Sequence, residues 1–128
     1  MIRLRRALTL SLLSIGVALG APPNKTPTVA LTAPTSGATF AAPANITLSA
    51  NASDSDGTIT RVEFIEGGVN SLGTRTSAPY TMTWSNVTAG SYSLTASAID
   101  NAGGIKTSSK VSITVTGAKL EHAICVSN

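Results

Sequence analysis

Seven short runs in which period-two alternation of apolar and polar residues recurs, separated by Gly, Pro, Asn and Asp clusters, constrain this chain more than any other feature. They occupy residues 28–31, 45–52, 58–66, 71–74, 80–84, 91–99 and 110–115. Successive side chains of an extended strand point to opposite faces, so each run sorts its residues into two sets. One set is apolar: Val29 and Leu31; Ile46, Leu48, Ala50 and Ala52; Val62 and Phe64; Leu72; Tyr80, Met82 and Trp84; Tyr92, Leu94, Ala96 and Ala98; Val111, Ile113 and Val115. The other set is Ser and Thr almost throughout. Thr is β-branched and polar, which suits the wet side of a strand.

No window after residue 27 carries the i, i+3, i+4, i+7 pattern of a helix. The prolines fall in the segment before the first run or between runs, where no ladder donor is lost. One dry and one wet face per strand implies antiparallel sheets packed face to face. About seven such strands in roughly 100 residues predict an all-β, immunoglobulin-like antiparallel β-sandwich over residues 28–116. Tyr92, just after the Gly90 turn at the start of the penultimate run, stands where a tyrosine corner is expected, its hydroxyl bonding back to the preceding loop. Glu63 and Glu66, three apart on one run, fall on opposite faces and do not form an acid–base pair.

The basic character of the chain is local. Its formal charge is +3, and Arg3, Arg5 and Arg6 lie in the first six residues. An uncharged stretch from Ala7 to Leu19 follows, then the small residues Gly20 and Ala21. A basic start, a short apolar run and a small-residue exit read as a signal peptide at 1–20. The run is shorter than the ~20 residues of a membrane span, so the membrane enters only through export. Removing 1–20 takes the charge to zero and leaves no basic surface for nucleic acid. The expected location is secreted, extracellular or periplasmic. Residues 21–27 form a Pro-rich, stiff lead-in, and 117–128 a tail.

Few residues carry chemistry. His122 and Cys125 are the single His and Cys, and both lie in the tail, with nothing to bury or orient them as a nucleophile–base pair. No catalytic residue is assigned, and Cys125 reads as an odd thiol, free or able to cross-link two chains. Asp54, Asp56, Asp100 and Asn101 fall in two inter-strand loops that a sandwich places at one end. Two readings stand for them. Asp and Asn bond their own backbone in turns, with Gly57 and Gly103 supplying positive φ; that is the stronger reading. The other is a weak Ca²⁺ site of converging oxygens. No other cofactor is expected. Saccharide sites need exposed aromatic faces, yet the alternation turns Phe64, Tyr80, Trp84 and Tyr92 inward and leaves only Phe40 unassigned. Glycosylation-type triplets at Asn24, Asn45, Asn51 and Asn86 are what a Ser/Thr-rich chain yields by chance.

The stretches Pro27-Thr-Val-Ala-Leu-Thr-Ala-Pro34, Ala50-Asn-Ala-Ser-Asp-Ser-Asp-Gly57, Ile59-Thr-Arg-Val-Glu-Phe64, Ala78-Pro-Tyr80, Trp84, Ala89-Gly-Ser-Tyr-Ser-Leu-Thr-Ala96 and Ile99-Asp-Asn-Ala-Gly103, in this order, resemble the bacterial Ig-like modules appended to secreted carbohydrate-active enzymes and other extracellular proteins. The resemblance covers residues 27 to about 116. It implies a non-catalytic structural or accessory module, a spacer or interaction domain, whose partner is a neighbouring domain, an envelope or extracellular protein, or a polysaccharide. It leaves open that the chain is a fragment of a larger extracellular enzyme. The alternative is a carbohydrate-binding or cell-surface adhesion module.

Overall fold

The computed structural model describes residues 22–117. The expected signal peptide at 1–20 and tail residues 118–128, with His122 and Cys125, lie outside the described residues. Within them the chain forms β1 (Thr28–Ala33), β2 (Thr39–Ala41), β3 (Ala44–Ser53), β4 (Ile59–Glu66), β5 (Asn70–Arg75), β6 (Tyr80–Val87), β7 (Gly90–Asp100), β8 (Ile105–Thr107) and β9 (Val111–Thr116).

The strands divide into two sheets. One has the order β1-β3-β6; the other runs β2-β9-β7-β4-β5. β7 is the long central strand of the larger sheet. It pairs with β4 on one side; on the other, its first half pairs with β9 and its second half with β8. Every pairing is antiparallel except β2 on β9, which is parallel through Thr39↔Thr114, Phe40↔Val115 and Ala41↔Thr116. The segment between β1 and β2 therefore carries the chain from one sheet to the other. Gly37 makes this passage at φ 89°, donating its N–H to the Ser112 carbonyl at 2.7 Å, a backbone conformation that costs little without a Cβ.

The two faces predicted by alternation are the two faces observed. β3 buries Ala44, Ile46, Leu48 and Ala50, and β9 buries Val111, Ile113 and Val115, with exposed or half-buried residues between them. Val62 and Phe64 of β4 meet Leu94, Ala96 and Ala98 of β7 in the same core. Fully burying one such large side chain is worth about 1.5–3 kcal/mol, and this interior supplies the main driving force for closing the layers. β2 and β8 are absent from the expected seven strands. Each has three residues, too few for a period of two to show, and β2 nevertheless sets Phe40 against the core.

Two further contacts join the layers. Tyr92 of the larger sheet meets Trp84 of the smaller edge-to-face, with centroids 5.1 Å apart and an interplanar angle of 84°. The Nε of Arg75 on β5 donates to the Thr81 carbonyl on β6 at 2.8 Å. The tyrosine corner is present: the Tyr92 hydroxyl donates to the Thr88 carbonyl at 2.7 Å.

Candidate functional site

Three segments meet at one pole of the sandwich: the lead-in, the β3–β4 loop and the β7–β8 turn. Asp100 ends β7 with its side chain 2% exposed. Its Oδ1 accepts the N–H groups of Ala102 at 2.8 Å and Gly104 at 2.7 Å, which makes the tight turn into β8. Its Oδ2 accepts the Asn24 side-chain amide of the lead-in at 2.8 Å. Asn101 reaches the other loop: its Oδ1 accepts the Thr58 N–H at 3.0 Å and its own N–H donates to the Thr58 carbonyl at 2.9 Å. Asp56 Oδ2 accepts the main-chain N–H of Lys25 at 2.9 Å. The structure thus brings Asp54, Asp56, Asp100 and Asn101 to one end. It adds Asn24 and Lys25, which the sequence does not mark because their partners lie 76 and 31 positions away.

Gly103 takes the positive φ expected of it, but Gly57 does not; Gly57 is required instead by a close approach. A Cβ there would lie 2.7 Å from Asp54 Oδ2 and would overlap Asn101 Oδ1. These two oxygens close over bare backbone.

The two buried carboxylates stand in opposite electrostatic states. Asp100 is held below the ordinary carboxylate range, chiefly by the Asn24 amide, with the N–H groups of Gly104, Ala102 and Gly103 adding to it against the opposing effect of burial. Asp54 is pushed above that range, first by burial, then by the carboxylate of Asp56 and, more weakly, that of Asp100. Both Asp54 oxygens are buried and meet no donor at full hydrogen-bond geometry, and the nearby main-chain N–H of Asp56 only partly offsets the rise. Buried polar groups are nearly always paired, so this carboxylate is the unusual atom group of the pole.

Elsewhere the chemistry is sparse. Phe64 is buried, and Phe40, Tyr80, Trp84 and Tyr92 pack against the core while staying partly exposed, Tyr80 along an open trough. This trough of about 630 Å³ runs along β1, β3 and the start of β6, lined in part by Thr28, Thr32, Asn51, Ser53 and Thr81. No helix among the described residues is long and apolar enough to cross a membrane.

Comparison with known proteins follows the same lines. No curated protein matches the chain in sequence. Among solved structures, the fibronectin(III)-like modules of Clostridium thermocellum CbhA align at TM-score 0.68 and 36% identity, over 76% of this chain and 50% of theirs. A structure described for the promiscuous specificity of carbohydrate-binding modules from the β-sandwich superfamily aligns at TM-score 0.57 and 28% identity, over 76% of this chain and 37% of its own. The PKD1 domain of Vibrio anguillarum Epp, at 18% identity and TM-score 0.54, shares the fold over 75% of this chain and all of its own length. The chain therefore spans half or less of the length of the first two. The family model described as "Bacterial Ig domain" matches residues 27–96, and with the sandwich and its core in place the chain belongs to the bacterial Ig domain family.

Proposed function

We propose that this chain is a non-catalytic accessory module of an exported bacterial protein, holding a neighbouring domain or an extracellular partner at a set distance. One observation carries the reading: the apolar side chains that could line a reactive cleft are consumed in a filled interior between the two sheets. A general acid or base needs a pocket and a positioned partner, and the His and Cys that chemistry most often uses stand only in the tail. The similarity to fibronectin(III)-like modules of CbhA supports a role beside another domain. The test is an assay of the purified chain against soluble and insoluble polysaccharides and peptides. No turnover above buffer is expected, and hydrolysis abolished by denaturation would refute the reading.

A second reading is favoured by the 28% identity to the structure described for carbohydrate-binding modules. It makes the chain a polysaccharide-binding module using the open trough, where Tyr80 and Pro79 lie beside Thr28, Asn51 and Thr81. Retention on cellulose, chitin or xylan that survives salt, and that is lost in Asn51→Ala, supports it. Elution in the void with all three polymers leaves the spacer role standing.

A further inference from the structure

We propose that the free edge of β6 is a self-pairing site held shut by Arg75, and that a second copy of this chain, presenting the same strand, pairs there once Arg75 is displaced. This goes beyond the spacer reading and does not depend on it.

β6 ends the smaller sheet, with β3 on one side and, among the described residues, no strand on the other. A sheet edge offers unpaired N–H and C=O groups to any extended chain, and folded proteins guard such edges with short strands, bulges, proline or charge. The other edges of this sandwich carry guards of that kind. β1 shifts register between Leu31 and Ala33, β2 and β8 have three residues each, and β5 shifts register where β4 passes from Phe64 to Ile65. β6 lacks them over most of its length. Its eight residues, Tyr80-Thr-Met-Thr-Trp-Ser-Asn-Val87, include no charge, no proline and no glycine, and they keep unbroken register on β3 from Tyr80 to Trp84. Tyr80, Met82 and Trp84 are half-buried along it, while Thr81, Thr83 and Ser85 are exposed. Uncharged segments of this length, rich in aromatic and β-branched residues, are the ones that pair with their own kind.

The missing charge arrives from the other layer. Arg75, at the end of β5, reaches across the gap between the sheets: its Nε donates to the Thr81 carbonyl at 2.8 Å and its Nη1 to the Thr74 carbonyl at 2.9 Å. The Thr81 N–H donates to the Pro79 carbonyl at 3.0 Å, so both main-chain groups of Thr81 are occupied. A guanidinium has five donors and no acceptor, so it cannot continue a ladder. An incoming strand has to displace it, and desolvating that charge without a partner is costly. Main-chain groups two residues apart on a strand face the same way, so Thr83 offers its N–H and C=O on the side where Thr81 meets Arg75.

The strand itself names the occupant. Antiparallel pairing of two copies of β6 centred on Thr83 sets Thr83 opposite Thr83, Thr81 opposite Ser85 and Met82 opposite Trp84. No like charges meet, hydroxyls face hydroxyls on one side of the sheet, and a thioether meets an aromatic ring on the other, which are favourable cross-strand pairs.

The experiment follows the full chain by sedimentation velocity across a wide range of concentration, in reducing buffer so that Cys125 forms no cross-link. Arg75→Ala is expected to self-associate into a dimer at least about tenfold more tightly than the wild type, the weight of one charge-assisted hydrogen bond. Adding Thr83→Pro removes a donor from the edge and returns the variant to monomer. Hydrogen exchange gives a second view: the Thr83 amide is protected in the Arg75→Ala dimer and not in the wild-type monomer. If Arg75→Ala loses its cooperative melt, Arg75→Gln, which keeps most of the stem and drops the charge, replaces it. A variant no more associated than the wild type overturns the role of Arg75. A dimer that survives Thr83→Pro, or that leaves the Thr83 amide unprotected, overturns the site.

Discussion

The Tyr92 hydroxyl and the Asp54 carboxylate show how far single groups shape this domain. Tyr92 spends its hydroxyl on the Thr88 carbonyl, four residues upstream, and pins the turn that feeds β7. A hydrogen bond of this kind contributes about 1 kcal/mol net. Tyr92→Phe keeps the ring against Trp84 and is expected to lower the thermal midpoint by about 4–8 °C, measured by circular dichroism; an unchanged midpoint would mean the corner is ornamental. The two carboxylates at the opposite pole act in contrary directions with pH. Asp100 has its folded-state pKa lowered, so its stabilisation is present above its ordinary unfolded value and is lost as pH falls through the folded one. Asp54 is raised, so its charged form weighs against the fold at neutral pH, and that penalty is relieved as pH falls through the folded value. Asp54→Asn is therefore expected to melt higher than the wild type at pH 7, the difference closing on acidification. The opposite ranking at pH 7 would show that the Asp54 charge is compensated within the protein itself.

Strands carry their evidence in proportion to their length. β3, β4, β7 and β9 are long enough for alternation to name both faces, and the residues assigned inward on them include Ile46, Leu48, Phe64, Leu94 and Ile113, each buried to 2% exposure or less. β2 and β8 have three residues each, and what places them is pairing with β9 and β7 rather than any local pattern. The pole shows the same division. That the Asp54 and Asp100 loops share an end followed from sandwich topology, whereas the capture of Asn24 and Lys25 depends on contacts 76 and 31 positions away. Sequence periodicity is blind to these, and it read the lead-in as a simple spacer. Burial also ranks the consequences of mutation. Phe64 is 1% exposed at the middle of β4, and Phe64→Ala is expected to cost about 3–5 kcal/mol. With a urea dependence near 1–3 kcal/mol per M, the midpoint falls by about 2 M. Val69, 90% exposed at the β4–β5 hairpin, should tolerate Val69→Ser within about 0.5 kcal/mol.

For the whole molecule, the question is whether the two sheets stand or fall as one body. No disulfide ties them, because the chain has a single Cys. What joins them is the shared core, the Trp84–Tyr92 edge-to-face contact and the Arg75–Thr81 hydrogen bond. The smaller sheet has only β1, β3 and β6. Its inward face, Ile46, Leu48 and Ala50, gains its burial from the other layer. Three strands stripped of that partner would expose the apolar face that makes them stable, so neither sheet has a reason to persist alone. Trp84 reports on this directly: it belongs to the smaller sheet and touches Tyr92 of the larger. Urea unfolding followed by Trp84 fluorescence is therefore expected to coincide, in midpoint and slope, with unfolding followed by far-ultraviolet circular dichroism, as two-state behaviour requires. If fluorescence changes at lower urea than the backbone signal, the layers part before they unfold. A module that parts in this way transmits force poorly, and that outcome would count against the proposed spacer role.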